Sequence, residues 1–292
     1  MTRLVVFDFE TTSADPATAR AVQLAAIEAV VGSDGPEVRE LLNVLCNPGV
    51  QIKDEAAQVH GISADMVKDQ PSDVYQVARF VLQHLRELGA DETILAGHNS
   101  LNFDWPILRR LASEACKMSD DPRHHPVLPA TVPHLDTLIM ATRLWPEAPC
   151  HKLSQTAAEA KAIGKPGKLG LTQWLKLGDG ENAHDALADV KMVLDLIMHI
   201  CKVTGWDLYA LADWCSKPQV LEICHIGKHQ GKKWGRGQGA VPFSYAKWMC
   251  ENWKDASLDM QATMLYHYNL RFQFPGALKT LEGCITPSTT PG

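Results

Sequence analysis

Apolar residues recur along this chain with a spacing that changes from segment to segment. Leu4-Val-Val-Phe-Asp-Phe-Glu10 is a β-branched and aromatic run that predicts a buried strand. Thr11 to Ala19 carries turn chemistry, with Ser13, Asp15 and Pro16. Val22–Val31 and Val38–Cys46 predict two further strands, separated by the turn Gly32-Ser-Asp-Gly-Pro36. The links between these three strands are too short for crossovers, so their sheet is not purely parallel. Helical spacing then takes over at Val74, Val77, Ala78, Val81, Leu82, Leu85 and Leu88. A short strand at Thr93–Ala96 precedes a helix over Trp105–Cys116, with Pro106 suited to its first turn.

Asp120–Pro133 contains four prolines and predicts an irregular loop, followed by a short apolar element at Leu135–Leu144. A helix is expected over Leu153–Ala162 and is broken by Lys165–Gly170. His184–Cys201 is a strong helix with apolar positions at Leu187, Val190, Val193, Leu194, Ile197 and Met198, and Trp206–Cys215 predicts one more. Strands first, then mixed strand and helix, imply an α/β domain built on a mixed sheet. Past Ser216–Pro218 the character changes to glycine, lysine and histidine (Ile223–Gly239) and then to aromatics (Pro242–Trp253). The expected organisation is a domain over residues 1–216, a small module over 217–280, and a disordered tail over 281–292.

Net charge over the 292 residues is −6, which taken alone argues against a nucleic-acid partner. Its distribution reverses that inference. Residues 1–216 hold 19 Lys+Arg against 29 Asp+Glu, whereas residues 217–275 hold 8 against 4. An acidic body with a basic annex suits a protein that gathers carboxylates around metal ions and attracts phosphates elsewhere. The eight cysteines form no CxxC pair and the start of the chain lacks a signal-peptide core, so a cytoplasmic setting with reduced thiols is expected. No apolar run is long enough for a membrane span.

Three separated segments place carboxylates in apolar surroundings. In the first, Asp8 and Glu10 lie two apart on a strand and project to one face, where repulsion and desolvation call for a cation. The apolar flanks Val5, Val6, Phe7 and Phe9 favour metal ligation over a solvated edge strand. In the second, Ile94-Leu-Ala-Gly-His-Asn-Ser-Leu-Asn-Phe-Asp104, a strand ends at glycine and Asp104 stands at the mouth of a helix. Alone, Asp104 is open to a plain N-cap role, and His98 and Asn99 to turn roles. In the third, Asn182-Ala-His-Asp-Ala-Leu-Ala-Asp-Val190, Asp189 falls inside a helix beside apolar positions and His184 near its start, with Asp185 equally available. Together these sites offer the oxygen-rich surroundings that Mg²⁺ or Mn²⁺ prefers, with a histidine able to take a proton near neutral pH. Two such ions suit phosphodiester cleavage.

These segments resemble the three Exo motifs of the DEDDh (DnaQ-like) 3′→5′ exonucleases, on the ribonuclease H-like fold. Asp8-Phe-Glu10-Thr-Thr12 is similar to the first motif, His98-Asn99 through Phe103-Asp104 to the second, and His184 with Asp189 five residues on to the third. Gln23, His60-Gly-Ile-Ser63 and Asp136-Thr-Leu138 fit as supporting pieces, and the resemblance covers about residues 4–200. It implies a mixed five-stranded sheet flanked by helices. It further implies two Mg²⁺ (or Mn²⁺) ions, with Asp8, Glu10 and Asp189 on one, Asp8 bridging, Asp104 on the second through water, and His184 as general base. Thr11, Thr12 and Phe103 would contact the terminal nucleotide, together with His98 and Asn99. The spacing of five from Asn99 to Asp104 departs from the four usual in the family.

The resemblance implies a 3′→5′ exodeoxyribonuclease that releases nucleoside 5′-monophosphates, with single-stranded DNA a better substrate than RNA and a role in repair. Alternatives are an exoribonuclease and a proofreading subunit docked on a polymerase. In the annex, Gly227-Lys-His-Gln-Gly-Lys232 and Pro242-Phe-Ser-Tyr-Ala-Lys-Trp248 resemble the small α+β C-terminal module of exonuclease X-like nucleases. Lys228, Lys232 and Lys233 are its candidates for phosphate contact, while Tyr245 and Trp248 are open to either base stacking or core packing. The spacing of Cys224, His225, His229 and Cys250 fits no zinc pattern and is read as ordinary buried thiols.

Overall fold

The structure is a computed structural model, and it describes residues 2–85, 93–129, 132–145, 152–153, 185–253, 256–273 and 286–287. The described residues divide between two compact units, Met1–Thr137 with Ala157–Ala212, and Leu138–Thr156 with Asp213–Gly292. The sequence boundary at Ser216–Pro218 does not contain the grouping of residues 138–156 with the C-terminal unit.

In the first unit, β1 (Thr2–Thr11), β2 (Ala21–Gly32), β3 (Gly35–Leu45), β4 (Thr93–Gly97) and β5 (His134–Asp136) form one sheet in the order β3-β2-β1-β4-β5. β2 runs antiparallel to both β1 and β3, and β4 runs parallel to both β1 and β5. This is the mixed five-stranded sheet that the sequence implied. β1 is central, and Leu4, Val5, Val6 and Phe7 have no exposed surface. Alternation along a strand sends Val5, Phe7 and Phe9 to one face. There they share a core with Val77 and Phe80 of α3 (Asp73–Phe80) and with Ile107, Leu108 and Leu111 of α4 (Asp104–Lys117). The long helix that follows residue 185, here called α6, spans Ala186–Thr204 and packs on β1, β2 and β4 through Val190, Val193, Leu194 and Ile197.

Several expected elements take a different form. The helix expected over Val74–Leu88 is α-helical from Asp73 to Phe80 and then forms a π turn over Val81–Leu85. The apolar element at Leu135–Leu144 divides into β5 and α5 (Thr137–Leu144). Two short helices, α1 (Asp54–His60) and α2 (Ala64–Val67), were not predicted; α1 buries none of its residues, so it has no apolar stripe to detect. The helix expected over Leu153–Ala162, apart from Leu153, and its break at Lys165–Gly170 lie outside the described residues.

In the second unit, Arg143 of α5 makes paired bonds to Asp259, 2.7 Å from Nε to Oδ2 and 2.7 Å from Nη2 to Oδ1. The same guanidinium donates to the carbonyls of Trp214 and Lys217 at 2.5 and 2.8 Å. Leu221, Cys224, Trp234, Met249, Cys250, Met260, Met264 and Tyr268 form the core beside it. Besides α5, the α-helices among the described residues here are the end of α7 (Leu208–Ser216), α8 (Phe243–Asn252) and α9 (Leu258–Tyr268). β6 (Gln219–Val220) pairs in parallel with β7 (Thr286–Pro287), which lies within the stretch expected as a disordered tail. Among the described residues, no helix is long and apolar enough to cross a membrane.

Gly97 ends β4 and turns the chain toward the site. A Cβ placed there would lie 2.5 Å from Ser100 Cβ and 3.2 Å from the Phe7 carbonyl oxygen. Substituting Gly97→Ala should therefore push the 98–103 turn off β1 and lower stability by about 1–3 kcal/mol, read as a fall in the urea midpoint. An unchanged midpoint would mean that the turn yields without cost.

Candidate active site

β1 outruns its parallel neighbour. Pairing with β4 stops at Val6↔Ala96, while pairing with β2 continues to Asp8↔Ala25 and Glu10↔Gln23. The last residues of β1 thus pass an open end of the sheet, where alternation puts Asp8 and Glu10 on the face covered by α6. Asp189 lies in the first turn of α6. The carboxylate oxygens of Asp8, Glu10 and Asp189 come within 4.8 Å of one another, and these three form the one grouping of metal-ligating side chains among the described residues.

Asp104 joins them from the other side. Its Oδ1 accepts the Phe9 amide at 3.1 Å, the main-chain donor that lies between Asp8 and Glu10. The N-cap position of α4 is held by Phe103, so Asp104 is the first helical residue and its carboxylate faces the strand. Only 2% of Asp104 and 9% of Glu10 is exposed, whereas Asp8 and Asp189 are partly exposed.

The electrostatics record the crowding. Burial, followed by the charges of Asp189, Asp104 and Asp185, raises the Glu10 carboxyl from 4.5 to about 8. Burial also pushes Asp104 up to about 8, aided by Asp136 and Asp189 and opposed by the Phe9 amide and by its own. Asp8 lies well above its ordinary value because of burial and the charges of Asp104, Glu10 and Asp189. The groups that press on Asp8 are other acids, and a hard cation bound by oxygen ligands would remove the conflict. The donor set therefore fits a divalent metal: carboxylates only, with no thiol or imidazole among the three.

Two residues that the sequence marked only as supporting pieces prove to be organisers. Asp136, fully buried at the end of β5, accepts the amides of Asn99 and Leu101 at 2.9 and 3.0 Å and so shapes the second motif. Gln23 donates to Asn43 Oδ1 at 2.9 Å and to Asp185 Oδ1 at 3.0 Å. Asp185 is the N-cap of α6 and accepts the Leu187 amide at 3.0 Å, so Gln23 ties the start of that helix to the sheet. The signal available in sequence was chemical: a buried carboxylate or amide on a core strand needs partners.

The remaining candidates are placed as follows. Thr11 Oγ1 donates to the Ser13 carbonyl at 2.9 Å and Thr12 Oγ1 accepts the Arg20 amide at 3.0 Å, so both hydroxyls shape the turn after β1. His98 Nδ1 lies 2.9 Å from Thr137 Oγ1, and Asn99 adopts a left-handed φ of 59°. Phe103 is half-buried and packs on the core that holds Phe7 and Phe9. His134 and Ser100 pair at 2.7 Å beneath this turn, and burial lowers the imidazole to about 3, which keeps it neutral. His184 lies outside the described residues. In the second unit Lys228, Lys232 and Lys233 are exposed, while Cys224 and Cys250 are core thiols.

A mixed sheet of this order, with carboxylates clustered at the end of its central strand, defines a nuclease of the ribonuclease H-like fold. The family is specific: the RNase T exonuclease profile matches residues 5–197, and the chain belongs to that family, whose members depend on divalent metal. Similar solved structures include exonuclease X in complex with 5′ overhanging duplex DNA, at 20% identity and a TM-score of 0.45, covering 73% of this chain and 99% of that one. Escherichia coli (E. coli) exonuclease I in complex with a dT13 oligonucleotide is similar at 21% identity and a TM-score of 0.48, covering 78% and 45%. The exonuclease I of Methylocaldum szegediense is similar at 22% identity and a TM-score of 0.47, covering 72% and 42%. This chain thus spans less than half the length of the exonuclease I chains. No curated protein sequence matches.

The raised carboxyls set a pH dependence. Glu10 titrates at 4.5 when free and at about 8 when folded, so between these values the folded chain binds more protons than the unfolded chain. Stability of the metal-free protein should then fall as pH rises through this window. The penalty is absent below about 4.5 and complete above about 8. His134 works in the opposite sense below its ordinary 6.5, so the comparison to make is with Glu10→Gln. That variant should gain on the order of 3 kcal/mol over the parent at pH 8 and nothing near pH 4.5. Millimolar Mn²⁺ should close the gap in thermal melts by stabilising only the parent. A constant difference across pH would show that the acids do not repel.

Proposed function

We propose that this protein is a metal-dependent 3′→5′ exodeoxyribonuclease that releases nucleoside 5′-monophosphates from single-stranded 3′ ends. The observation that carries the proposal is the approach of Asp8, Glu10 and Asp189 to within 4.8 Å, beside Asp104 on the Phe9 amide. Asp8, Glu10 and Asp189 would hold one Mg²⁺ or Mn²⁺ ion, and Asp104 would hold a second through water. When bound, the two ions supply a lowered pKa for the attacking water and charge stabilisation at the phosphorus.

The chain's own groups have separate tasks. His184, the residue that precedes the helix-capping Asp185 in the sequence, would take the proton of the attacking water, since an imidazole is largely neutral near working pH. Asp136 keeps the 98–103 turn in shape by holding two of its amides, and so orients His98, Asn99 and Phe103 toward a terminal nucleotide. Thr11 and Thr12 shape the turn after β1 through their hydroxyl bonds. Of the similar structures above, those of exonuclease X and E. coli exonuclease I contain DNA, and DNA is the substrate class proposed for this chain.

Digestion of 5′-labelled single-stranded DNA, duplex DNA and RNA in Mg²⁺ tests the proposal. Single-stranded DNA should shorten as a stepwise ladder with mononucleotide product. Chelator should abolish it, and Asp8→Ala or His184→Ala should reduce the rate by about 10³-fold. Internal cuts, shortening from the labelled end, or faster loss of RNA than DNA would each refute a part of it.

A further inference from the structure

The second unit leaves the ring of Trp248 outside its core, beside Tyr245, which packs against that core. Trp234 and Tyr268 fill that core and are 5% and 8% exposed, whereas Trp248 on α8 is 55% exposed. Residues three apart share a helix face. Tyr245 and Trp248 stack there, with ring centroids 5.8 Å apart and planes 17° from parallel. A tryptophan held in a stack but uncovered on its outside presents a flat apolar face to water.

The loop from Cys224 to Trp234 is built around the same tyrosine. Lys228 Nζ stands 5.1 Å from the Tyr245 ring centroid, and the His229 ring meets it edge-on at 4.6 Å. Gly227, at φ +64°, has room for nothing larger than hydrogen, because a Cβ would come 2.5 Å from the Tyr245 hydroxyl. The Cys224 amide donates to the Lys232 carbonyl at 2.8 Å and the Gly231 amide to the Cys224 carbonyl at 2.7 Å, which fixes the turn. Lys228, Lys232 and Lys233 are exposed on it and form no ion pair with any described residue.

We propose that the Tyr245–Trp248 stack and the lysines of the 227–233 turn form a second DNA-binding site within the C-terminal unit, a platform on which a base of a single strand stacks against Trp248 while its phosphates meet the lysines. Stacking on an aromatic face with flanking cations is the chemistry of sequence-tolerant single-strand binding. A protein partner fits less well, since lysine is depleted from protein interfaces. The local balance of 8 Lys+Arg against 4 Asp+Glu over residues 217–275 complements a polyanion. The platform rests on the nuclease reading for its choice of strand.

The test uses the full chain carrying Glu10→Gln, which prevents digestion, with a labelled 20-nucleotide oligo(dT) followed by anisotropy. Adding Trp248→Ala should weaken binding roughly 5- to 100-fold, and Trp248→Phe should restore most of it. Lys228→Ala should reduce the slope of log affinity against log salt by about 0.7. In the otherwise unsubstituted protein, Trp248→Ala should leave hydrolysis of the p-nitrophenyl ester of thymidine 5′-monophosphate unchanged while raising KM for the 20-mer. Unchanged 20-mer affinity in Trp248→Ala, or a Trp248→Phe as weak as the alanine, would overturn the platform. Tighter binding of oligo(rU) than oligo(dT) would overturn its assignment to DNA. Failure of the unsubstituted protein to hydrolyse either substrate would instead defeat the nuclease reading, leaving the binding comparison to judge the platform by itself.

Discussion

Mutual repulsion among acids is the constraint on which the rest of the first unit depends. Asp8, Glu10 and Asp189 are drawn together, with Asp104 close enough to be felt, in surroundings that raise Glu10 and Asp104 to about 8. Nothing in such a cluster favours its own assembly. The stabilisation comes from the sheet and helices behind it, where Val5, Phe7, Leu24, Leu95 and their partners bury completely. The cluster is therefore preorganised by apolar packing that does not touch a ligand. A cation entering the site gains from charges already assembled, rather than assembling them at its own cost.

Each carboxylate is held by a different device. Asp8 and Glu10 need only the strand alternation of β1, the central strand. Asp104 needs an end to β4, because its acceptor oxygen takes a β1 amide beyond the last β1–β4 pair. That end is made by Gly97, whose missing side chain lets Ser100 close against the strand, and by Asp136, which holds the amides of Asn99 and Leu101. Asp189 needs the start of α6 to be fixed, and the Gln23–Asp185 bond does so. Four organisers, Gly97, Asp136, Gln23 and Asp185, thus serve four carboxylates, and most of them are polar groups satisfied inside the fold.

This arrangement explains how much was legible in the sequence. Asp8 and Glu10 could be read from residues alone, because two acids inside an apolar strand conflict with burial unless a cation is present. Asp104 could not, since an acid at a helix mouth is usually a cap, and Asp189 was marked only by its place inside a helix beside apolar positions; the ordered resemblance of three motifs is what joined both to the first pair. Four of the five strands followed from apolar and β-branched runs, whereas β5 lay hidden in the apolar element expected at Leu135–Leu144. α1 was missed because none of its residues is buried, and α9 for the opposite reason. It buries Asp259, Met260, Gln261, Ala262, Thr263 and Met264 in succession, so it shows no stripe. Arg143, which ties α5 to Asp259 across 116 positions of sequence, left no local signal at all.

The charge division between the two halves of the sequence then acquires a physical meaning. A body of 19 cations against 29 acids repels a polyanion, and screening confines that repulsion to roughly 8 Å at physiological salt. Metal ions neutralise the cluster only where they bind, so the rest of the acidic surface stays unfavourable to phosphate. A strand of nucleic acid therefore needs attraction from groups outside the body. The second unit supplies a compact core with Trp234 and Tyr268 inside, while its lysines and Trp248 remain in solvent. Burying one set of aromatics and leaving another exposed separates the residues that fold this unit from those free to meet a ligand.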